Sequence, residues 1–433
     1  MRKILAIGTG KLINHITRSL KIGGGSAAPG LYALKIDPEI VTKLSKKIPT
    51  NIIITGTNGK TTTARMLAHF AKESGLKVIR NHTGSNLERG IASALIHNSK
   101  GDLGIWEMDE AAFNSVAPKL NPDIVIFLNI FRDQLDRYGE IDIVLKRWAE
   151  TIKKLDPKTV ILVNGDDANT AKLAPSFKGR IETFGLESNK IKGEGKAPKK
   201  TKNKLDFEAK NIKLKGLEGA SFELTISKAS RYALNDKRQT INLPLPGIYH
   251  IYNTVAAIAI ASHLGLPVNQ LASSLDTFQP AFGRVEKLAF GYIFLIKNPE
   301  GATQVFKTIA PQIKKEDRLL LALNDNLADG TDVSWIWDAD FERLTMNDER
   351  LTICSGTRAN DLAVRLKYAG FNSKRSSAYP KSIIVEPSLE NALRQARKGL
   401  KGTLYILPTY TAMLSLQKIL TKMGLKANYW EEN

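Results

Sequence analysis

The sequence predicts an α/β protein: a parallel sheet covered by helices, carrying a small β insertion, followed by a second α/β unit of Rossmann-like type. Three observations lead there. From Asn51 onward short apolar runs alternate with stretches of helical period, at Asn51 to Ile54, Lys77 to Asn81, Leu103 to Glu107, Ile124 to Asn129 and Val160 to Asn164. Such alternation predicts parallel strands joined by helices. Lysine-rich polar sequence with short alternating strands, such as Ala220 to Ile226, interrupts it over 185–245, and a further set of strands and helices runs from Arg284 to the end. At 433 residues the chain exceeds one typical core, and length alone predicts two or three domains.

In chain order, residues 1–48 read as a lead-in segment. It holds an amphipathic helix from Leu12 to Leu20, the breakers Gly23-Gly24-Gly25 and Pro29-Gly30, and a second helix near Pro38 to Lys47. A central domain is expected over 49–286, with the insertion inside it and a helix from Tyr252 to Leu264 returning to the main sheet. The C-terminal domain takes 287–433, and no internal repeat or low-complexity linker is apparent.

Composition narrows the class. No apolar run approaches membrane-spanning length, and Met1-Arg2-Lys3 leads only into a brief apolar stretch broken by Gly8, Gly10 and Lys11, so a soluble, cytosolic protein is expected. The single cysteine, Cys354, excludes an internal disulfide and any metal site needing several thiolates. A net charge of +20 invites a nucleic-acid partner. Much of the excess, however, lies between Lys190 and Lys215 among few apolar residues, like a solvated insertion rather than a stacking groove, and no nucleic acid is expected. An anionic, membrane-bound substrate accounts for the same sign.

The chemistry starts at Thr55-Gly56-Thr57-Asn58-Gly59-Lys60-Thr61-Thr62-Thr63, where a strand runs into a glycine-rich turn and then a helix. Backbone N–H groups of Gly56, Thr57, Asn58 and Gly59 can surround phosphates, Lys60 adds a point charge, and Thr61 offers a hydroxyl to Mg²⁺. ATP is the expected cofactor. The short form of the loop resembles that of the Mur ligase and folylpolyglutamate synthetase superfamily, which implies carboxylate activation by ATP on a Mur ligase-like central domain.

Glu107, at the end of a buried strand, is a second expected Mg²⁺ ligand, paired with Thr61. Acids decorating a helix N-terminus are the alternative for Glu107, and stand level with a site role for Asp109 and Glu110. Asn129 to Gly139 resembles the superfamily's Asn-x-x-x-Asp-His-Leu-Asp segment, with Gln134 in place of the histidine that helps hold a second metal ion. Asn164-Gly165-Asp166-Asp167 resembles its Asn-x-Asp-Asp turn. Asn253, in a segment resembling the adenine-facing one, offers both an amide donor and a carbonyl acceptor to a purine edge. Phe282-Gly283-Arg284 resembles the arginine turn between domains, and Arg284 can clamp a γ-phosphate; an ordinary interdomain salt bridge is the other reading.

The segments Leu295 to Gly301, Asn324 to Asp338, Ser355 to Arg358 and Pro408 to Ala412 together resemble the MurT-type subunit of lipid II isoglutaminyl synthase. The resemblance implies a carbon–nitrogen ligase that amidates the D-glutamate α-carboxylate of the lipid II stem peptide through an acyl phosphate. It implies ammonia from a GatD-type glutamine amidotransferase subunit, work at the inner face of the membrane, Asp325 in the nucleotide site, and Asp332 completing the partner's Cys-His pair. Asp338 is the alternative for that last role. Trp335 and Trp337 read equally as core or as interface. Relatives carry a four-cysteine zinc ribbon in the central domain, but residues 185–230 hold no cysteine and zinc is not expected. Two rivals stand: a ligase adding an amino acid to a soluble substrate, and a non-catalytic ATP-binding scaffold.

Overall fold

The computed structural model describes residues 1–19, 27–81, 85–98, 100–131, 141–187, 205–227, 238–279, 285–345, 350–371 and 383–425. The chain divides into two units, Met1–Leu214 with Ala220–Pro244 and Ile248–Gln279, and Lys215–Gly219 with Leu245–Gly247 and Pro280–Asn433.

Strands of the first unit are β1 (Thr50–Thr55), β2 (Val78–Arg80), β3 (Leu103–Met108), β4 (Ile124–Phe127), β5 (Val160–Asn164), β6 (Arg180–Leu186), β7 (Phe207–Leu214), β8 (Ala220–Ile226) and β9 (Gln239–Leu243). They form one sheet in the order β2-β3-β1-β4-β5-β6-β7-β8-β9. Pairing is parallel as far as β7 and antiparallel from β7 to β9. The insertion strands thus extend the main sheet. The register sets Thr55 beside Met108 on one side and Phe127 on the other, so three strands end at one level and their loops leave side by side. That edge, at the carboxyl ends of central parallel strands, is where open α/β sheets bind ligands.

Helices α1 (Arg2–Ser19), α2 (Ala28–Ile36), α3 (Ile40–Ser45), α4 (Lys60–Glu73), α5 (Glu88–His97), α6 (Phe113–Leu120), α7 (Ile141–Ile152), α8 (Ile248–His263) and α9 (Val268–Ser274) complete the unit. The first 48 residues are more than a lead-in, because Ala6, Ala33, Ile40, Val41, Leu44 and Ile48 join one core cluster with Leu95 and Trp106. Helix α1 starts at Arg2 instead of Leu12, since its inner face uses small residues that carry no hydrophobic signal. A Cβ on Gly10 would meet Ile96 Cδ1 at 3.0 Å, and one on Gly30 would meet the Arg89 carbonyl oxygen at 1.9 Å, so α2 lies against α5 only because position 30 has no side chain.

Alanine-rich α8 is buried along most of its length. At its end His263 Nε2 lies 2.8 Å from Glu182 Oε2, while Arg180 Nε donates to Glu182 Oε1 at 2.8 Å. Burial opposes ionisation of Glu182, but the hydrogen bonds and charges of His263 and Arg180 outweigh it and hold the carboxyl below its usual range.

The second unit has β10 (Glu286–Leu288), β11 (Gly291–Ile293), β12 (Arg318–Ala322), β13 (Thr352–Ser355), β14 (Ile383–Val385) and β15 (Leu404–Pro408), in the order β10-β11-β15-β12-β13-β14. Only the β10–β11 pairing is antiparallel. Leu319, Leu321 and Cys354 enter one core cluster, and Leu320 and Ile353 another, as the two-residue period of a sheet covered on both faces requires. Helices α10 (Pro299–Ile309), α11 (Ala359–Tyr368), α12 (Leu389–Arg397) and α13 (Tyr410–Lys422) provide the cover.

Two measurements test this packing. Burial pushes the Cys354 thiol up to about 12, so at pH 8 only about one thiol in ten thousand is ionised. Iodoacetamide should leave the folded protein unlabelled at pH 8 and label it stoichiometrically in guanidinium chloride. A depressed carboxyl stabilises the fold above the unfolded-state value and loses that contribution as pH falls through the folded one. Melting temperature should therefore fall below about pH 4.3, the ordinary glutamate value, and Glu182→Gln should flatten that limb while lowering stability at neutral pH.

Candidate nucleotide-binding site

The loop after β1 is shaped by two glycines. Gly56 has φ +130° and Gly59 has φ +92°, both in the region that side chains disfavour. Space demands them as well: a Cβ on Gly56 would lie 2.7 Å from the Asn129 carbonyl oxygen, and one on Gly59 would lie 2.3 Å from Asn253 Oδ1. Gly59 then caps α4, whose first residue is Lys60, so the N–H groups of the first helical turn face the loop's concave side.

Asn129, immediately after the β4 exit, clasps this loop. Its carbonyl accepts from Thr57 N at 3.0 Å, its Oδ1 from Asn58 N at 2.8 Å, and its Nδ2 donates to the Asn58 carbonyl at 2.9 Å. Phe131 N donates to Thr57 Oγ1 at 3.1 Å. The Asn164 turn supports the clasp from behind: Asn164 Nδ2 donates to the Leu128 carbonyl at 2.9 Å, and Asp167 Oδ2 accepts from Ile130 N at 3.1 Å. Burial raises the Asp167 carboxyl above its ordinary range despite hydrogen bonds from Thr170, Ile130 and Asn169.

Lys60 is buried. Its Nζ donates to the Gly56 carbonyl and, at 3.3 Å, to that of Thr57, and stands 3.4 Å from Glu110 Oε2. Thr61 Oγ1 donates to Glu107 Oε2 at 2.8 Å. Glu107 lies within β3, not at a helix N-terminus, and is fixed there by Asn81, which accepts from Glu107 N at 2.9 Å and donates to its carbonyl at 2.8 Å. Two hard oxygens 2.8 Å apart match the separation of about 2.9 Å between adjacent ligands of an octahedral Mg²⁺ at 2.0–2.1 Å. The donor set fits that ion, with phosphate and water completing the shell as Mg²⁺ prefers.

Of the sequence-predicted residues, Gly56, Thr57, Asn58, Gly59, Lys60, Thr61 and Glu107 come together here, and Thr62 is buried in the first turn of α4. Asn253 lies beneath the loop, its Oδ1 3.5 Å from Thr63 Oγ1. Arg284 and Gln134 lie outside the described residues. The site also uses Asn81, Glu110 and Asn129. Asn129 stood in a quoted motif without a role, and nothing local to Lys60 marks Glu110.

In the second unit Asp325 sits past the end of β12 in a mesh of side chains. Thr357 Oγ1 donates to Asp325 Oδ1 at 2.8 Å, Arg358 Nη1 lies 3.6 Å from Asp325 Oδ2, and Asn324 Nδ2 donates to Thr411 Oγ1 at 2.9 Å. Asp332 is exposed and accepts from Ser334 N at 2.8 Å, heading a short 3₁₀ turn over Ser334–Trp337. The Trp-Ile-Trp run is therefore a turn, with Ile336 buried, Trp335 half-buried against the core, and Trp337 half exposed. Buried Arg365 of α11 holds it, donating to the Ile336 carbonyl at 3.0 Å and the Ala339 carbonyl at 2.8 Å with its guanidinium 5.6 Å from the Trp337 ring centre.

If Asn129 sets the loop, Asn129→Ala should weaken ATP binding by calorimetry roughly 10- to 100-fold through the lost hydrogen bonds, and Gly59→Ala should abolish it, both with folded circular dichroism spectra. Unchanged affinity in Asn129→Ala would remove the clasp from the account.

Comparison with known proteins follows the same division. Residues 54–261 match the Mur ligase middle domain model, and residues 295–413 match the MurT ligase C-terminal model. The lipid II isoglutaminyl synthase (glutamine-hydrolyzing) subunit MurT of Staphylococcus aureus strain COL is 30% identical over 98% of both chains. Its Streptococcus pneumoniae counterpart is 33% identical over 92% of this chain and 93% of its own. Among solved structures, MurF from Acinetobacter baumannii aligns with TM-score 0.69 at 18% identity, covering 92% of this chain and 81% of its own. MurF from Thermotoga maritima in complex with ADP aligns with TM-score 0.64 at 16% identity, covering 90% and 85%. These two show the shared fold, and the near full-length sequence matches show more: the chain belongs to the MurT family of Mur-type ligases.

Proposed function

We propose that this protein is the synthetase subunit of a lipid II amidating enzyme in peptidoglycan synthesis. In that reaction a D-glutamate α-carboxylate oxygen attacks the γ-phosphorus of ATP, the bond to ADP breaks, and an acyl phosphate forms. Ammonia then attacks the acyl carbon, loses a proton, and expels phosphate to leave the carboxamide. The observation that carries this reading is the pairing of a built phosphate loop with a C-terminal unit matching MurT over 295–413.

The residues divide the work. Phosphoryl transfer needs positioning and charge neutralisation more than covalent help. The N–H groups of Gly59 and of the first turn of α4 would take the phosphates, those of Thr57 and Asn58 being already given to Asn129, and Lys60, paired with loop carbonyls and Glu110, would lie beside them. Mg²⁺ held by Thr61 and Glu107 would neutralise phosphate charge. Arg284 is assigned to the γ-phosphate, Asp325 to the nucleotide, and Asn253 to the nucleotide's purine edge from its place beside Gly59.

Ammonia is assigned to a GatD-type glutaminase subunit. The relatives are named as glutamine-hydrolyzing synthase subunits, and the one cysteine of this chain is a buried strand residue whose thiol stays protonated. Asp332, exposed at the head of its turn, is the carboxylate assigned to orient the partner's histidine. The enzyme would work at the inner face of the membrane, where its lipid-linked substrate lies.

Mass spectrometry of lipid II after incubation with the protein, MgATP and ammonium salt tests the assignment. A carboxamide should form, and Lys60→Ala should reduce it at least about a hundredfold. Asp332→Asn should abolish the glutamine-dependent reaction with the partner while sparing the ammonium-dependent one. No amidation from either nitrogen source, or incorporation of an amino acid instead, would overturn the proposal.

A further inference from the structure

Helix α1 carries two apolar faces, and only one is used by the core. Ala6 and Gly10 form the inner face, Ala6 fully buried and Gly10 closed against Ile96. Around the other side Met1, Leu5, Leu12 and Ile16 follow helical spacing, with Ile4 beside them. Ile4 is 77% exposed, Leu5 60%, Leu12 59% and Ile16 44%. On α2, Leu31 and Tyr32 are exposed, and Lys35 Nζ lies 5.5 Å from the Tyr32 ring centre. Gly30 N donates to Ser93 Oγ at 2.8 Å, which pins α2 to α5, so the outer stripe belongs to an anchored element and not to a tail awaiting the core.

Charge says what covers that stripe. Residues 1–36 contain Arg2, Lys3, Lys11, Arg18, Lys21 and Lys35 and no aspartate or glutamate. A second copy of the chain in an isologous contact would set these like charges against one another. An anionic surface meets them instead, and apolar side chains flanked by cations suit the boundary between headgroups and acyl chains. Among the described residues no helix is long and apolar enough to cross a membrane, so a helix of this kind would lie in the surface.

We propose that the outer face of α1, with Leu31 and Tyr32 of α2, docks on an anionic lipid bilayer. Leu5, Leu12 and Ile16 enter the headgroup boundary while Arg2, Lys11 and Lys35, all exposed, pair with lipid phosphates. The use of this contact rests on the lipid-linked substrate proposed above, although the contact itself is measurable without substrate.

Flotation of the full-length protein with substrate-free vesicles tests it. Binding to vesicles rich in phosphatidylglycerol should exceed binding to pure phosphatidylcholine and fall with added salt. Leu5→Ser with Leu12→Ser should cut partitioning at least about tenfold, and Arg2→Gln with Lys11→Gln should cut it roughly fivefold for each cation removed. Nucleotide affinity should hold in both variants. Failure of the wild type to bind anionic vesicles, equal binding by the Arg2→Gln, Lys11→Gln variant, or a dimer that either variant converts to monomer by light scattering would overturn the proposal. Vesicle binding without lipid II amidation would instead strike the functional reading and leave this surface standing.

Discussion

The phosphate loop depends on one side chain, Asn129. The backbone of Gly56 to Gly59 turns through left-handed conformations that no regular ladder stabilises, so its shape must be imposed from outside. Asn129 imposes it by meeting Thr57 and Asn58 with its carbonyl and both ends of its amide. That is possible only because β1 and β4 are adjacent and parallel, in a register that sets Thr55 beside Phe127. The order β3-β1-β4 has a second result: it brings Glu107 of β3 to the other side of the same loop, against Thr61. The Asn129 clasp and the carboxylate that meets Thr61 come from the two neighbours of one strand, and the site follows from sheet topology.

What was legible in the sequence was what is encoded locally. The β1, β3 and β5 runs are continuous apolar segments and could be read directly, as could the glycine turn and its hydroxyl cluster. Helix α1 was misplaced because Ala6 and Gly10 face the core through small size while Ile4 and Leu5 are exposed, so the apolar residues before Leu12 mark no core-facing stripe. Glu110 reaches Lys60 across 50 residues of chain, and Asn81 reaches Glu107 across 26, so neither pairing has a local signal. The Trp-Ile-Trp run, read equally as core or as interface, divides between the two because Asp332 caps the Ser334 amide and Arg365 takes the Ile336 and Ala339 carbonyls, which favours a turn.

Arg365 shows how the second unit presents a surface segment with little regular structure in it. A buried guanidinium needs several acceptors to offset its desolvation, and here two carbonyls, the Glu342 carboxylate and the faces of Trp337 and Phe341 supply them. Those contacts draw the segment from Trp337 to Glu342 onto α11. Trp337 is thus displayed from a fixed base, close to the exposed Asp332, which would lower the ordering cost of the subunit contact proposed above.

The basic character of the chain and the acidic character of its site are complementary. Around Lys60 the structure buries two carboxylates, Glu107 and Glu110, against one ammonium, within a protein of net charge +20. Such a pocket does not collect ATP by its own side-chain charge. For a nucleotide that arrives with a divalent cation, Glu107 and the phosphates would share a counter-ion, while Glu110 already offsets the charge of Lys60. In the sequence the positive excess is concentrated instead in the insertion, between Lys190 and Lys215, and in residues 1–36. On the docking proposed above, long-range charge would serve to attract an anionic surface, while binding at the loop would be decided at short range by hydrogen-bond geometry.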